Sequence, residues 1–362
     1  MLLHNNAICL SGADWLIHEG VDTDYDEVMN HNDGWLNSQV PGNIQADLEQ
    51  NLLLKPLWYG NGDSRLMDYC LKDWWYRKDF QVPDNFQGKR LTLIFDGVDY
   101  SCEIWVNGSL VDHHDGMFQR FDFDVTDFVN VGKVNRLGVK ISGMPEELVP
   151  WIEGSDGAFS GVGTDYFFVH ANDKIRETLK GLKSPANCSY DWGTNIYTLG
   201  IWKDVQLKAS GPVRIEWVQV KTRLEEDFSA ATAEVIVELD SEVDMEITAK
   251  FSLSGPEKSG SVAVNGALIP GKNTIRSSIS VDNPRLWWPA GHGEQALYML
   301  ETMIAEDEGE PLDHAETRFG IRDVRWEQVE GAPEDFANPY RLVLNGRTIR
   351  TMGSNMTAVD LL

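Results

Sequence analysis

The chain has 362 residues, 42% of them hydrophobic, which is room for two or three packed domains. Its 31 basic and 57 acidic side chains leave a formal charge of −26, a surface that repels phosphate backbones and anionic membranes and argues against nucleic-acid and membrane partners. Cys9, Cys70, Cys102 and Cys188 stand far apart with no CxxC pair, so neither a zinc knuckle nor a redox motif is indicated, and reduced, buried thiols are expected.

The amino-terminal stretch MLLHNNAICLSGADW has no basic region, and its apolar run is broken by His4, Asn5 and Asn6, unlike a secretory signal. No run reaches the length of a membrane span, so the expected location is cytoplasmic. A short helix is predicted from about Ile44 to Leu53, after Pro41-Gly42 and with Asn43 as N-cap. Trp74, Trp75 and Tyr76 open a strand ending at Phe80, and Leu91 to Phe95 form another. Cys102, Ile104 and Val106 form the inward set of a strand that runs into Asn107-Gly108, a strong hairpin-turn signal. His113-His114-Asp115 invite a metal reading, but neighbouring strand residues point to opposite faces, and a turn after Asn107-Gly108 explains them better. Phe121, Phe123 and Val125 alternate with acids, and Leu137, Val139 and Ile141 alternate likewise, as half-buried strands do.

From Ser142 to Asn187 no periodicity is sustained, and the interval reads as an insertion into the first sandwich. It delivers Cys188 to Val205, CSYDWGTNIYTLGIWKDV, around which the chain is organised. Asp191 and Trp192 stand side by side next to Gly193. Carboxylate and indole together suit a sugar, one accepting hydroxyl protons and the other covering an apolar face; an Asx-type turn with a half-buried ring fits the same letters. Gly211-Pro212 marks a boundary. Beyond it, Ala233, Val235, Val237 and Leu239 share one strand face, and Met245, Ile247, Ala249, Phe251 and Leu253 share another. Further strands around Ile275–Val281 and Leu297–Ile304 complete an immunoglobulin-like pattern. Asn283 to Pro289 is too proline-rich for a central strand and is expected to connect, its indoles packing between sheets. Arg341 to Ile349 reads as a hairpin turning at Asn345-Gly346, and Met352-Gly353-Ser354-Asn355 as the first strand of a larger domain, with Asn355 at its carboxyl end. No Ser-His-Asp spacing, phosphate-binding glycine loop, metal site or cofactor motif is evident.

Several of these motifs resemble glycoside hydrolase family 2, and within it the β-mannosidase branch. Pro41-Gly42, Trp75-Tyr76-Arg77, Phe95-Asp96-Gly97-Val98-Asp99, Val106-Asn107-Gly108 and Gly200-Ile201-Trp202-Lys203-Asp204-Val205 look like the family's first domain. Leu286-Trp287-Trp288-Pro289, Phe319-Gly320-Ile321-Arg322, Leu344-Asn345-Gly346 and Gly353-Ser354-Asn355 look like its second domain and the start of its barrel. The resemblance implies an all-β fold: a galactose-binding-like jelly roll over residues 1–210, an immunoglobulin-like sandwich over 211–317, and the truncated start of a (β/α)8 TIM barrel over 318–362. It also implies hydrolysis of β-glycosides at the non-reducing end with retention, by two carboxyl groups about 5 Å apart on later barrel strands. A barrel needs on the order of 250 residues, so both are expected beyond Leu362 and the chain alone is expected to be inactive.

Tyr190-Asp191-Trp192-Gly193 is similar to the branch's Trp-Asp-Trp-Gly loop, which makes Asp191 and Trp192 substrate-binding candidates, and Asn355 joins them. Where the branch reads Gly-Ala-Asn-Trp-Ile-Pro-x-Asp, this chain has Gly353-Ser354-Asn355-Met356-Thr357-Ala358-Val359-Asp360. The implied partner is a β-linked oligosaccharide or glycoside, with terminal β-mannosides first. Exo-β-glucosaminidase, β-galactosidase, β-glucuronidase and a non-catalytic carbohydrate binder are the alternatives. Without a barrel, an apolar surface around Phe319, Ile321 and Leu344 is expected to favour homo-oligomers.

Overall fold

A computed structural model of the chain describes residues 6–20, 24–51, 67–143, 197–256, 259–306, 311–333 and 339–354, which form two β-rich units dividing between Ala209 and Ser210. Among these residues no helix is long and apolar enough to cross a membrane.

In the first unit the chain runs through β1 (Ala7–Cys9), β2 (Gly12–Glu19), α1 (Tyr25–Met29), β3 (Leu36–Val40), α2 (Ile44–Gln50) and α3 (Met67–Cys70). It continues through β4 (Trp74–Gln81), β5 (Arg90–Phe95), β6 (Ser101–Val106), β7 (Ser109–Asp115), β8 (Phe121–Asp124), β9 (Val134–Ile141) and β10 (Val205–Ser210). Six strands in the order β3-β2-β4-β9-β6-β7 and four in the order β1-β10-β5-β8 make a jelly-roll sandwich. Alternation decides which side chains go inside. Trp15, Ile17, Trp74, Tyr76, Ile104 and Val139 from the larger sheet share one core with Leu93, Phe95, Val205 and Leu207 from the smaller. Each such side chain contributes roughly 1.5–3 kcal/mol by leaving water. On the outer face of the larger sheet, Trp75 of β4 and Trp105 of β6 carry α1, whose Tyr25 and Met29 lie so close to Gly138 that an added Cβ would sit 2.8 Å from the Met29 methyl.

The second unit contains β11 (Val213–Leu224), β12 (Ala230–Ser241), β13 (Met245–Ser254), β14 (Ser259–Leu268), β15 (Gly271–Asp282), β16 (Tyr298–Ala305) and β17 (Pro311–Phe319). Its sheets, β11-β12-β15 and β14-β13-β16-β17, form an immunoglobulin-like sandwich. β12 alternates half-buried and buried positions over all twelve of its residues. A small sheet of β18 (Val324–Gln328), β19 (Tyr340–Leu344) and β20 (Arg347–Ile349) follows. Both Asn-Gly turns take the left-handed backbone that a two-residue hairpin requires, with φ of 51° and 90° at Asn107-Gly108 and 47° and 75° at Asn345-Gly346.

Four expectations change. His113 and His114 lie on β7, paired with β6, rather than in a turn: His113 is exposed, and His114 turns to the other side and stacks on Phe121. Cys70 and Cys102 are buried free thiols, but Cys9 is exposed on the edge strand β1, and Cys188 lies outside the described residues. Trp287 and Trp288 are half-buried rather than enclosed between sheets, each under a guanidinium, Arg322 at 4.7 Å and Arg347 at 4.9 Å, because their proline-rich segment makes only one isolated β-bridge. Ile321 and Leu344 are buried and Phe319 stacks on Tyr298, because β17 runs on to Phe319, past residue 317, and carries Ile321 into the sandwich core. The exposed apolar side chains of this region include instead Val324, Trp326, Val329, Tyr340 and Met352.

Candidate functional site

Asp191, Trp192 and Asn355 all lie outside the described residues. The carboxyl half of the central stretch, Tyr197 to Val205, is described, and it is held from two sides. On one side the Gly42 N–H donates to the Ile201 carbonyl at 2.9 Å and the Ile44 N–H to the Leu199 carbonyl at 2.8 Å. On the other, Asp99 and Gly200 exchange both backbone bonds, at 2.8 and 2.9 Å, and the Asp96 N–H donates to the Asp204 carbonyl at 2.9 Å. Glycine at 200 is a steric requirement, since a Cβ there would lie 2.7 Å from the Asn43 Cα and 2.8 Å from the Gly42 carbonyl oxygen.

Buried side chains complete the clamp. Asn43 caps α2 by accepting from the Ala46 N–H at 2.8 Å, which sets the helix so that its second residue faces inward. That residue, Gln45, reads the segment in both senses: its Nε2 donates to the Tyr197 carbonyl at 2.9 Å, and its Oε1 accepts from the Leu199 N–H at 3.3 Å. The Cys70 thiol donates to the same Tyr197 carbonyl at 3.1 Å. The Thr198 hydroxyl donates to Asp99 Oδ2 at 2.7 Å. Trp202 is fixed by its Nε1–H, which donates to the Met117 carbonyl at 2.8 Å, while its ring edge fills the space that Gly97 leaves. Lys203 lies 4.4 Å over that indole, and the exposed Phe118 meets it edge-on.

Under the clamp lies an acidic interior. Asp47, on α2, accepts from the Ser38 hydroxyl at 2.6 Å and the Gln39 N–H at 3.0 Å, yet burial pushes its carboxyl up to about 6 against those two bonds. Burial first, and the charge of Asp47 next, push the Tyr76 phenol well above its ordinary value. Asp47 and Asp99 are each 2% exposed, so neither can reach a substrate oxygen. The arrangement positions a chain segment and transfers no proton to a ligand. Among the described residues no group of three or more His, Cys, Asp or Glu is gathered as a metal ion would need.

The sequence shows the segment and its helix but not that Gln45, Cys70 and Asp99 hold it, nor that Asp47 ties the helix to β3. Polar letters on a short helix read as a solvent face, and the partners of Gln45 within the segment are 152 and 154 residues away.

A family profile described as glycosyl hydrolase 2 galactose-binding domain-like matches residues 22–203, and one for glycosyl hydrolases family 2 matches residues 213–322. The β-mannosidase of Rattus norvegicus is 26% identical over 331 residues, which is 90% of this chain and 36% of that protein. Among solved structures, a β-D-mannosidase from Dictyoglomus thermophilum matches 97% of this chain and 40% of its own, with a TM-score of 0.76 and 27% identity. An exo-chitosanase from Amycolatopsis orientalis matches 95% of this chain and 36% of its own, with a TM-score of 0.68 and 22% identity, a likeness of fold. The chain therefore spans well under half the length of the relatives it matches.

Proposed function

Because the chain belongs to glycoside hydrolase family 2, we propose that it is the amino-terminal portion of a retaining exo-β-glycosidase that removes terminal β-D-mannosyl residues from oligosaccharides. Its part is to shape one wall of the sugar site, while the proton transfer and covalent attack come from carboxyl groups beyond Leu362. The observation supporting the mannoside assignment is the match to β-mannosidases, which runs through both units of this chain. In this reading residues 318–362 lead into the barrel and Asn355 ends its first strand. Asp191 accepts a sugar hydroxyl and Trp192 covers the sugar's apolar face. Five peptide units separate Trp192 from the clamped Tyr197, a reach of at most about 18 Å.

The test uses nitrophenyl β-mannoside, β-galactoside, β-glucuronide and β-glucosaminide. The chain alone should release nothing above a mock-purified control, and the chain joined to a family barrel should favour the β-mannoside. In that fusion Asp191→Ala should weaken turnover by about 1.5–3 kcal/mol with an unchanged melting temperature, since a charge-assisted hydrogen bond to substrate is lost. Release by the chain alone would overturn the assignment of chemistry to the missing barrel, and preference for another glycoside would overturn the mannoside assignment.

A further inference from the structure

We propose that Asp47 is a proton-operated catch for the segment Tyr197–Ile201: with the carboxyl protonated, α2 seats firmly between β3 and that segment, and with the carboxylate charged the hold loosens. The geometry makes α2 a short lever. Its first turn touches the segment through the Ile44 N–H and the Gln45 amide, and two residues further on Asp47 ties the same helix to Ser38 and Gln39 of β3.

The surroundings of that carboxyl offer a charge little help. Asp47 is 2% exposed and accepts two hydrogen bonds, and among the described residues no cation is one of the groups that hold it. β3 presents Ser38 and the Gln39 backbone, neither of which ionises near neutrality. From β4 comes the Tyr76 phenol, which burial keeps neutral and whose oxygen lies 3.1 Å from where a Cβ on Gly200 would be. The loop after β5 contributes Asp99, a second buried acid bonded to Thr198 and Gly200. α3 contributes Cys70, whose thiol is spent on the Tyr197 carbonyl, and α2 itself carries Glu49. Each of these described ionisable groups is either neutral or an acid, and burial disfavours a charge on Asp47, so a proton there relieves the site and its loss burdens it.

The sign follows from linkage. A folded-state value of about 6 against an ordinary 3.8 means that the folded chain binds the proton more tightly. The stabilisation is complete below about pH 4 and is lost as pH rises through about 6, by roughly 100-fold in the folding equilibrium. Because α2 touches the segment directly, amide protection at residues 197–201 should follow the same curve.

The experiment is urea unfolding of the chain from pH 4 to 7.5, with hydrogen exchange at residues 197–201 corrected for the intrinsic pH dependence of exchange, on the wild type, Asp47→Asn and Ser38→Ala. The folding constant of the wild type should fall roughly 100-fold more than that of Asp47→Asn, and protection at 197–201 should fall only where Asp47 is present. Ser38→Ala removes a bond to the charged form, so its midpoint should move to higher pH. Parallel profiles for the wild type and Asp47→Asn would overturn the proposal, as would an Asp47-dependent fall in stability that leaves 197–201 no more open than β5. Should Asp47→Asn fail to fold, an unmoved midpoint in Ser38→Ala overturns it alone. None of these readings depends on the sugar specificity of the longer protein.

Discussion

Beneath the strands of the first unit lie Gln45, Asp47 and Asp99, whereas the facing layers of the second, β12 and β13, bring Val235, Val237 and Leu239 against Ile247, Ala249 and Phe251. The difference follows from backbone accounting. In the second unit the strands satisfy one another almost throughout, β12 pairing from Ala231 to Ser241 with β11 and along its full length with β15, so the interior is mostly apolar and its buried acid, Asp313, accepts from the Ile215 N–H that the bulge in β11 leaves open. The first unit must also hold Tyr197–Ile201, which belongs to no ladder beyond one isolated bridge at Gly200. Its carbonyls and N–H groups need partners under the surface: the backbone of Gly42, Ile44 and Asp99 meets some of them, and Gln45 and Cys70 meet the Tyr197 carbonyl and the Leu199 N–H.

The largest effect should come from the apolar interior. Phe251→Ala empties the middle of the second sandwich, where the ring is fully enclosed, and should destabilise that unit by about 3–5 kcal/mol. Urea unfolding followed by exchange at β12 and β13 measures it. A loss under about 1 kcal/mol would mean that this core can collapse, and that the contrast with the first unit is weaker than drawn.

Next is the polar interior. Gln45→Leu keeps the volume but takes the acceptor from the Leu199 N–H, while the Tyr197 carbonyl retains Cys70. One buried donor left bare costs about 1–3 kcal/mol. The change should appear as faster exchange at residues 197–201, with β12 unaffected. An equal rise in both places would show that the amide serves global stability rather than the segment.

Much of this plan was legible in the letters, and what was not has a common cause. Ala233, Val235, Val237 and Leu239 are all buried on one face of β12, because period two is a property of the strand itself. Asn107-Gly108 and Asn345-Gly346 turn as expected, because positive φ is a local demand. Asn43 caps its helix for the same reason. Asp47 escaped notice because its burial depends on β3 and β4 folding over it, and the spacing of α2 carries no trace of that. His113 and His114 were misread because their strand is fixed by pairing with β6, a matter of register rather than of composition. The candidate site was visible as a segment, while its holders were distant in sequence and therefore silent.

The smallest expected effect tests whether the second interior is as apolar as it should be. Thr302 is fully buried on β16, and among the described residues its hydroxyl has no hydrogen-bond partner. It sits directly across from Phe251 in the register of β13 and β16. A buried hydroxyl without a partner is destabilising, and valine fills nearly the same space, so Thr302→Val should stabilise the unit by about 1 kcal/mol, read as a higher urea midpoint at unchanged slope. The two positions should also couple. In Phe251→Ala the vacated space lies beside the Thr302 hydroxyl, and a water entering there would give that hydroxyl the partner it lacks. Thr302→Val would then stabilise the double variant less than it stabilises the wild type, by an interaction energy of at least about 0.5 kcal/mol. Strict additivity would show that the cavity stays dry, which would make the second interior more apolar than the bare Thr302 hydroxyl suggests.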